Sequence, residues 1–110
     1  MTTFDDRGKG FEAKYKRDQE LQFKVMARRN KLLGLWAAEK MGVSGADAET
    51  YSKEVVVSDF DRPGDEDVLE KVHDDLEANG LGLSAPDVRK EMERLLDVAR
   101  QRSNLNSETF

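Results

Sequence analysis

Residues 21–41 constrain the chain most. They contain no proline, a single β-branched residue (Val25) and mostly strong helix formers. On a helical wheel Leu21, Val25, Leu32, Leu35 and Trp36 share one arc, and Phe23, Met26, Leu33, Ala37 and Met41 fill a neighbouring one. A surface helix buries one stripe. Apolar side chains over more than half the circumference require other elements to wrap around this one, so it is expected to be the central helix, running from about residue 18 to residue 41. Trp36, the sole tryptophan, is expected in the core. Gly34 lies mid-helix, where glycine costs about 1 kcal/mol relative to alanine, so close approach of another helix is expected there. Gly42 is placed to end the helix in a left-handed cap.

The rest of the chain also reads as helices. Ser44 to Phe60 opens with acids in its first turn and pairs Tyr51 with Val55 and Val56 with Phe60 at i, i+4. The run Val55-Val56-Val57 has strand propensity, but the chain offers it no partner strand. Asp61-Arg62-Pro63-Gly64 is a turn. Asp65, Glu66 and Asp67 then suit a helix N-terminus, Val68, Leu69, Val72 and Leu76 form its apolar stripe, and Asn79-Gly80 stops it. Ser84 with Asp87 makes a short capping box, with Leu83 and Val88 spaced as a hydrophobic staple. The last helix presents Val88, Met92, Leu95, Leu96 and Ala99 on one face through to about Arg102, leaving a loose polar tail. Ahead of the central helix, Phe4, Phe11 and Tyr15 are the large apolar groups of an arm that Gly8 and Gly10 interrupt. Such an arm cannot bury enough surface alone to offset its ordering entropy. It is either an idle tail or a segment that folds on a partner.

With 110 residues the chain makes one small domain. The absence of cysteine removes disulfides and thiolate metal sites, and a single histidine removes a His-rich one. The first residues lack the basic start and apolar run of a signal peptide, and no apolar run approaches the roughly 18 residues of a membrane span. A soluble cytoplasmic protein is expected. The net charge of −5 conceals an asymmetry: residues 1–34 hold nine Lys/Arg against five Asp/Glu, and residues 35–110 hold nine against eighteen. A basic front on an acidic body suits docking on an acidic partner. Phosphate backbones would be repelled by the body, so nucleic acid is not expected as a partner. Arg17, Lys24, Arg28 and Lys31 fall on one narrow face of the central helix, as a solvated face or as a continuation of the docking surface.

Motifs for chemistry are sparse. Asp59, Asp61, Gly64, Asp65, Asp67 and Glu70 occupy positions 1, 3, 6, 7, 9 and 12 of an EF-hand loop. Pro63 at position 5 supplies no side-chain oxygen, and Glu66 stands where an apolar residue belongs, so an acid-rich helix start after a Pro-Gly turn produces the match by composition alone. His73 has no nucleophile beside it, and Gly80-Leu81-Gly82 lacks the length and preceding strand of a phosphate loop. No catalytic residues, metal ligands or cofactors are expected. Two alternatives stay open: an EF-hand-like divalent-ion sensor and a nucleotide-responsive helical interaction module.

Residues 27–38, Ala-Arg-Arg-Asn-Lys-Leu-Leu-Gly-Leu-Trp-Ala-Ala, resemble the zeta-subunit family, small inhibitory proteins of certain bacterial F-type ATP synthases. Phe11, Glu12, Lys14 and Tyr15, the lead-in from Glu20 to Lys24, Tyr51, Val55 and the run from Asp65 to Val68 extend the likeness over essentially the whole chain. The resemblance implies an all-α, four-helix bundle (residues 19–104) with a flexible N-terminal arm (1–18) and a loose C-terminal tail (105–110). It implies a non-enzymatic inhibitor of ATP hydrolysis whose arm folds into a catalytic α/β interface of the ATPase head, near the γ shaft, and blocks hydrolytic rotation. The implied partner-binding residues are Phe4, Arg7, Phe11, Lys14, Tyr15, Lys16, Arg17, Lys24 and Arg28. The expected partners are the α, β and γ subunits, with no direct membrane insertion and a monomeric free form, at the cytoplasmic face of the inner membrane.

Overall fold

A computed structural model describes the backbone of residues 2–61 and 64–109 and the side chains of residues 19–59 and 64–102. Within them the chain forms four helices and no strand: α1 (Thr2–Lys40), α2 (Gly45–Asp61), α3 (Asp65–Ala78) and α4 (Ala85–Thr109). The central helix is longer than its apolar pattern suggested, because α1 passes through Gly8 and Gly10. Interior glycine weakens a helix by about 1 kcal/mol without forbidding it. The side chains of the arm lie outside the described residues. Helix α4 likewise passes beyond Arg102, since neither glycine nor proline follows Pro86.

Cross-links fix the helix directions. Gly34 meets Ser52 and Asn30 meets Asp59, so α2 runs antiparallel to α1. Tyr51 meets Asp75 and Glu54 meets Lys71, so α3 reverses again and runs alongside α1. Arg29 marks the first turn of α3 through Asp65, and Met41 marks its end through Asn79. Residues 79–84 then carry the chain back towards that first turn, where Arg89 of α4 pairs with Glu66. Helix α4 closes the bundle chiefly against α1.

The core takes Leu33 and Ala37 from α1, Val55 from α2, Val68, Leu69, Val72 and Leu76 from α3, and Val88, Met92 and Leu95 from α4. The stripes read for the last two helices are therefore buried, with Leu96 half-buried at the edge. In α1 the buried line is Leu33, Gly34, Ala37 and Ala38, and the largest side chains sit to either side of it. Trp36 is half-buried and packs on the cluster rather than inside it, Leu21 is exposed and Phe23 is 54% exposed. Small residues line the centre because α2 comes close: a Cβ on Gly34 would stand 2.6 Å from the Ser52 Cα and 3.3 Å from Val55 Cγ2.

The ends are closed as the sequence signals indicated. Gly42 adopts φ +77°, and the N–H groups of Val43 and Gly42 donate to the carbonyls of Ala38 (2.8 Å) and Glu39 (3.1 Å), a Schellman arrangement. The same pair of bonds closes α3 through Leu81 and Gly80 onto Leu76 and Glu77. At α4 the Ser84 N–H donates to Asp87 Oδ2 (3.0 Å) and the Asp87 N–H to Ser84 Oγ (3.3 Å), the reciprocal capping box. Those bonds hold the Asp87 carboxyl below the usual carboxylate range.

Candidate functional site

Well past the middle of α1, inside its buried stretch, two polar residues occupy positions that the wheel places among apolar ones. Arg29 and Asn30 are each 1% exposed. Burial of a guanidinium is tolerated only with partners for its charge and its N–H groups. Arg29 donates from Nε (3.1 Å) and Nη2 (2.9 Å) to Asn30 Oδ1 and from Nη2 to Asp65 Oδ1 (3.0 Å). Asn30 passes the link on, donating from Nδ2 to Asp59 Oδ2 (3.0 Å), and the other Asp59 oxygen accepts the Gly64 N–H (3.4 Å). One residue pair on α1 thus ties down the end of α2, the turn after it and the start of α3. No described buried side-chain nitrogen or oxygen is left without a hydrogen-bond partner.

Beside this clamp a groove of about 410 Å³ opens between α1 and α2. Phe23, Met26, Ala27 and Val56 line it with carbon, Gln19 and Gln22 stand at the end facing the arm, and the Asn30–Asp59 link closes the other end.

Among the sequence-predicted binding residues, Lys24 is exposed and Arg28 half-buried, one turn apart on the outer side of α1. Phe4, Arg7, Phe11, Lys14, Tyr15, Lys16 and Arg17 lie outside the residues with described side chains. Lys31, on the same basic face, reaches Glu49 of α2 at 3.9 Å.

The EF-hand spacing does not produce an EF-hand. Asp59 and Asp61 belong to the last turn of α2, and Asp65, Asp67 and Glu70 already belong to α3, so the residues between the helices number three rather than twelve. Asp59 and Asp65 spend their oxygens on Asn30, Gly64 and Arg29, and no cluster of three acidic or histidine side chains converges among the described residues. His73 faces Glu77 (3.3 Å) and Asp74 (4.0 Å) on the same helix. Tyr51 donates its hydroxyl to Asp75 Oδ2 (2.8 Å), and Lys71 stands 5.5 Å from its ring centroid. Burial, followed by the neighbouring Asp75 carboxylate, pushes the Tyr51 phenol far above its ordinary value and keeps it neutral as a cross-link between α2 and α3. No described helix is long and apolar enough to cross a membrane.

The clamp was missed by sequence reasoning, which treated Arg29 and Asn30 only as part of a recognisable run. The available signal was their place on the wheel, inside the apolar arcs and flanking Leu33.

A small helical bundle with a clamped helix, an apolar groove beside it and a basic outer row has the build of an interaction module. The chain belongs to the ATPase inhibitor subunit zeta family, which matches residues 1–102. It is also similar to a protein solved by solution NMR, 45% identical, with a TM-score of 0.67 over 80% of this chain and 98% of that one. No curated protein matches it.

Proposed function

We propose that this chain inhibits ATP hydrolysis by an F-type ATP synthase, with residues 1–18 as the effector and the bundle as its anchor. The family match over residues 1–102 carries the reading, because it includes both the arm and the bundle. The arm folds into a catalytic α/β interface near the γ shaft and opposes hydrolytic rotation. Phe4, Phe11 and Tyr15 bury their rings there, and Arg7, Lys14, Lys16 and Arg17 pair with acidic walls, while Lys24 and Arg28 continue the basic row at the mouth. A monomer acting from the cytoplasmic face of the inner membrane suffices, since the arm and its anchor share one helix. An arm that folds only on binding wedges into the closing interface and so stops hydrolytic rotation.

Two measurements test this. Titrating a purified bacterial ATPase head with the full chain should suppress hydrolysis to a plateau near one chain per head. A photo-crosslinking residue at position 11 should link to α or β. Unchanged hydrolysis, or links confined to subunits outside the catalytic interface, contradicts the proposal.

A further inference from the structure

Asn79 and Gly80 close α3, and as a dipeptide they hold the parts of an intrachain reaction. The backbone nitrogen that follows an asparagine can attack the side-chain amide carbon and close a five-membered imide, which makes asparagine a labile residue. Glycine has no Cβ to hinder that closure. A Cβ built on Gly80 would meet nothing within 4 Å, so the space around the nucleophile is open. Both residues are exposed to the water that completes the reaction.

The folded cap holds the reacting atoms apart. Asn79 has φ −96° and ψ 12°. By the definition of ψ, the Gly80 nitrogen then lies alongside the nitrogen of Asn79 itself, away from its Cβ. Ring closure needs the Gly80 nitrogen to swing round to the Cβ side, and the cap opposes that swing. The Gly80 N–H donates to the Glu77 carbonyl (2.9 Å) and the Leu81 N–H to that of Leu76 (3.1 Å). Asn79 Nδ2 donates to the Asp75 carbonyl (2.8 Å) and to the Met41 sulfur (3.1 Å). Asn79 and Gly80 themselves lie beyond Leu76, the last buried residue of the helix. Such ends open at far lower cost than a helix body.

The geometry points to Asn79 as a self-modification site, converted to aspartate or isoaspartate when the last turn of α3 opens. The Gly80 nitrogen bonds to Asn79 Cγ and gives up its proton, and the side-chain nitrogen leaves with that proton as ammonia. Water then adds to one of the two imide carbonyls, and the C–N bond at that carbonyl breaks. Breaking it at Cγ gives aspartate; breaking it at the main-chain carbonyl gives isoaspartate. Water is consumed, ammonia is released and nothing is oxidised or reduced. Neither product rebuilds the cap. Aspartate lacks the Nδ2 donor and sets a further carboxylate near Asp75 and Glu77, at the negative end of the helix dipole. Isoaspartate adds a methylene to the main chain ahead of Gly80, so the N–H groups of Gly80 and Leu81 lose register with their carbonyls. An opening that reacts is therefore one-way, and it frees the end of α3 from Met41 of α1.

The test incubates the full chain at mildly alkaline pH, both folded and unfolded in guanidinium. Mass spectrometry then follows the tryptic peptide 72–89, in which Asn79 is the sole asparagine. Labelling by an isoaspartyl methyltransferase separates the two products. The folded chain should convert about ten- to a hundredfold more slowly than the unfolded one, to a mixture of both products, because reaction follows the open fraction of the cap. Asn79→Gln, whose longer side chain cannot close the five-membered ring, should stop the conversion. Asn79→Asp, which reproduces one product, should melt a few degrees below the wild type. Equal rates in the folded and unfolded chains would overturn the protection by the cap. A folded chain still intact when the unfolded one is fully converted would overturn the site itself. Asn79→Asp melting at the wild-type temperature would overturn the consequence for the bundle.

Discussion

Arg29 shows how position outweighs residue type. Its guanidinium is buried while its acidic partner Asp65 is 52% exposed. Removing Asp65 strands a charge away from water; removing Arg29 leaves a carboxylate that water can solvate. Asp65→Ala should therefore cost about 2–3 kcal/mol, below the roughly 3–5 kcal/mol of a fully buried broken pair because Asp65 is partly screened. Arg29→Met, which keeps the volume and deletes the charge, should cost less, about 1–2 kcal/mol, because it leaves only the neutral Asn30 Oδ1 without its donors. Thermal melting decides between them, and the opposite order would refute the asymmetry. The same logic reorders the apolar residues of α1. Leu33 is fully buried and Trp36 half-buried, so Leu33→Ala should cost about 3 kcal/mol and Trp36→Ala less, although the larger ring looked the more central in the sequence. The wheel located the apolar arcs but not which of them faces the core. That choice is made by Gly34, Ala37 and Ala38, which let α2 approach and leave Trp36 at the side.

Among the elements, the helix boundaries set by local chemistry were legible, because Gly42, Gly80 and the Ser84–Asp87 box act within a few residues of chain. Gly34 was legible for a different reason: a costly mid-helix glycine demands a close neighbour, and Ser52 is that neighbour. Gly34→Ala should thus lower the melting temperature even though alanine is the better helix former, since its methyl group would press on Ser52 backbone at 2.6 Å. A raised melting temperature would show that the α1–α2 contact yields. The cap of α4 carries a pH dependence. Folding depresses the Asp87 carboxyl, so its contribution is present above the ordinary carboxylate range and is lost as pH falls through the lower folded value. The melting difference between wild type and Asp87→Ala should accordingly be full at neutral pH and fade in acid; a constant difference would separate the cap from the ionised carboxylate. The Arg29–Asn30 clamp was not legible as a link, because its partners lie 29 and 36 residues further on, and pairing across that distance exists only once α2 and α3 are in place. In the acid-rich stretch 59–70 the spacing matched a calcium loop while Pro63 and Glu66 argued against one, and helices α2 and α3 absorb all but the turn between them.

For the whole molecule, α1 is both arm and scaffold. Its 39 residues span about 58 Å of helix, and the core it builds lies between Val25 and Ala38. The division of labour follows: the core side chains named above all lie at or beyond Val25, so removing residues 2–17 should leave the bundle melting near the wild-type temperature, with helical signal lost only in proportion to the deleted residues. The central claim is that those residues are the inhibitory wedge on a self-sufficient anchor. Its most direct test is ATP hydrolysis by a bacterial ATPase head titrated with the full chain and with the chain lacking residues 2–17. The account predicts inhibition by the full chain and none by the shortened one. Equal inhibition by both would contradict it and move the inhibitory surface into the bundle.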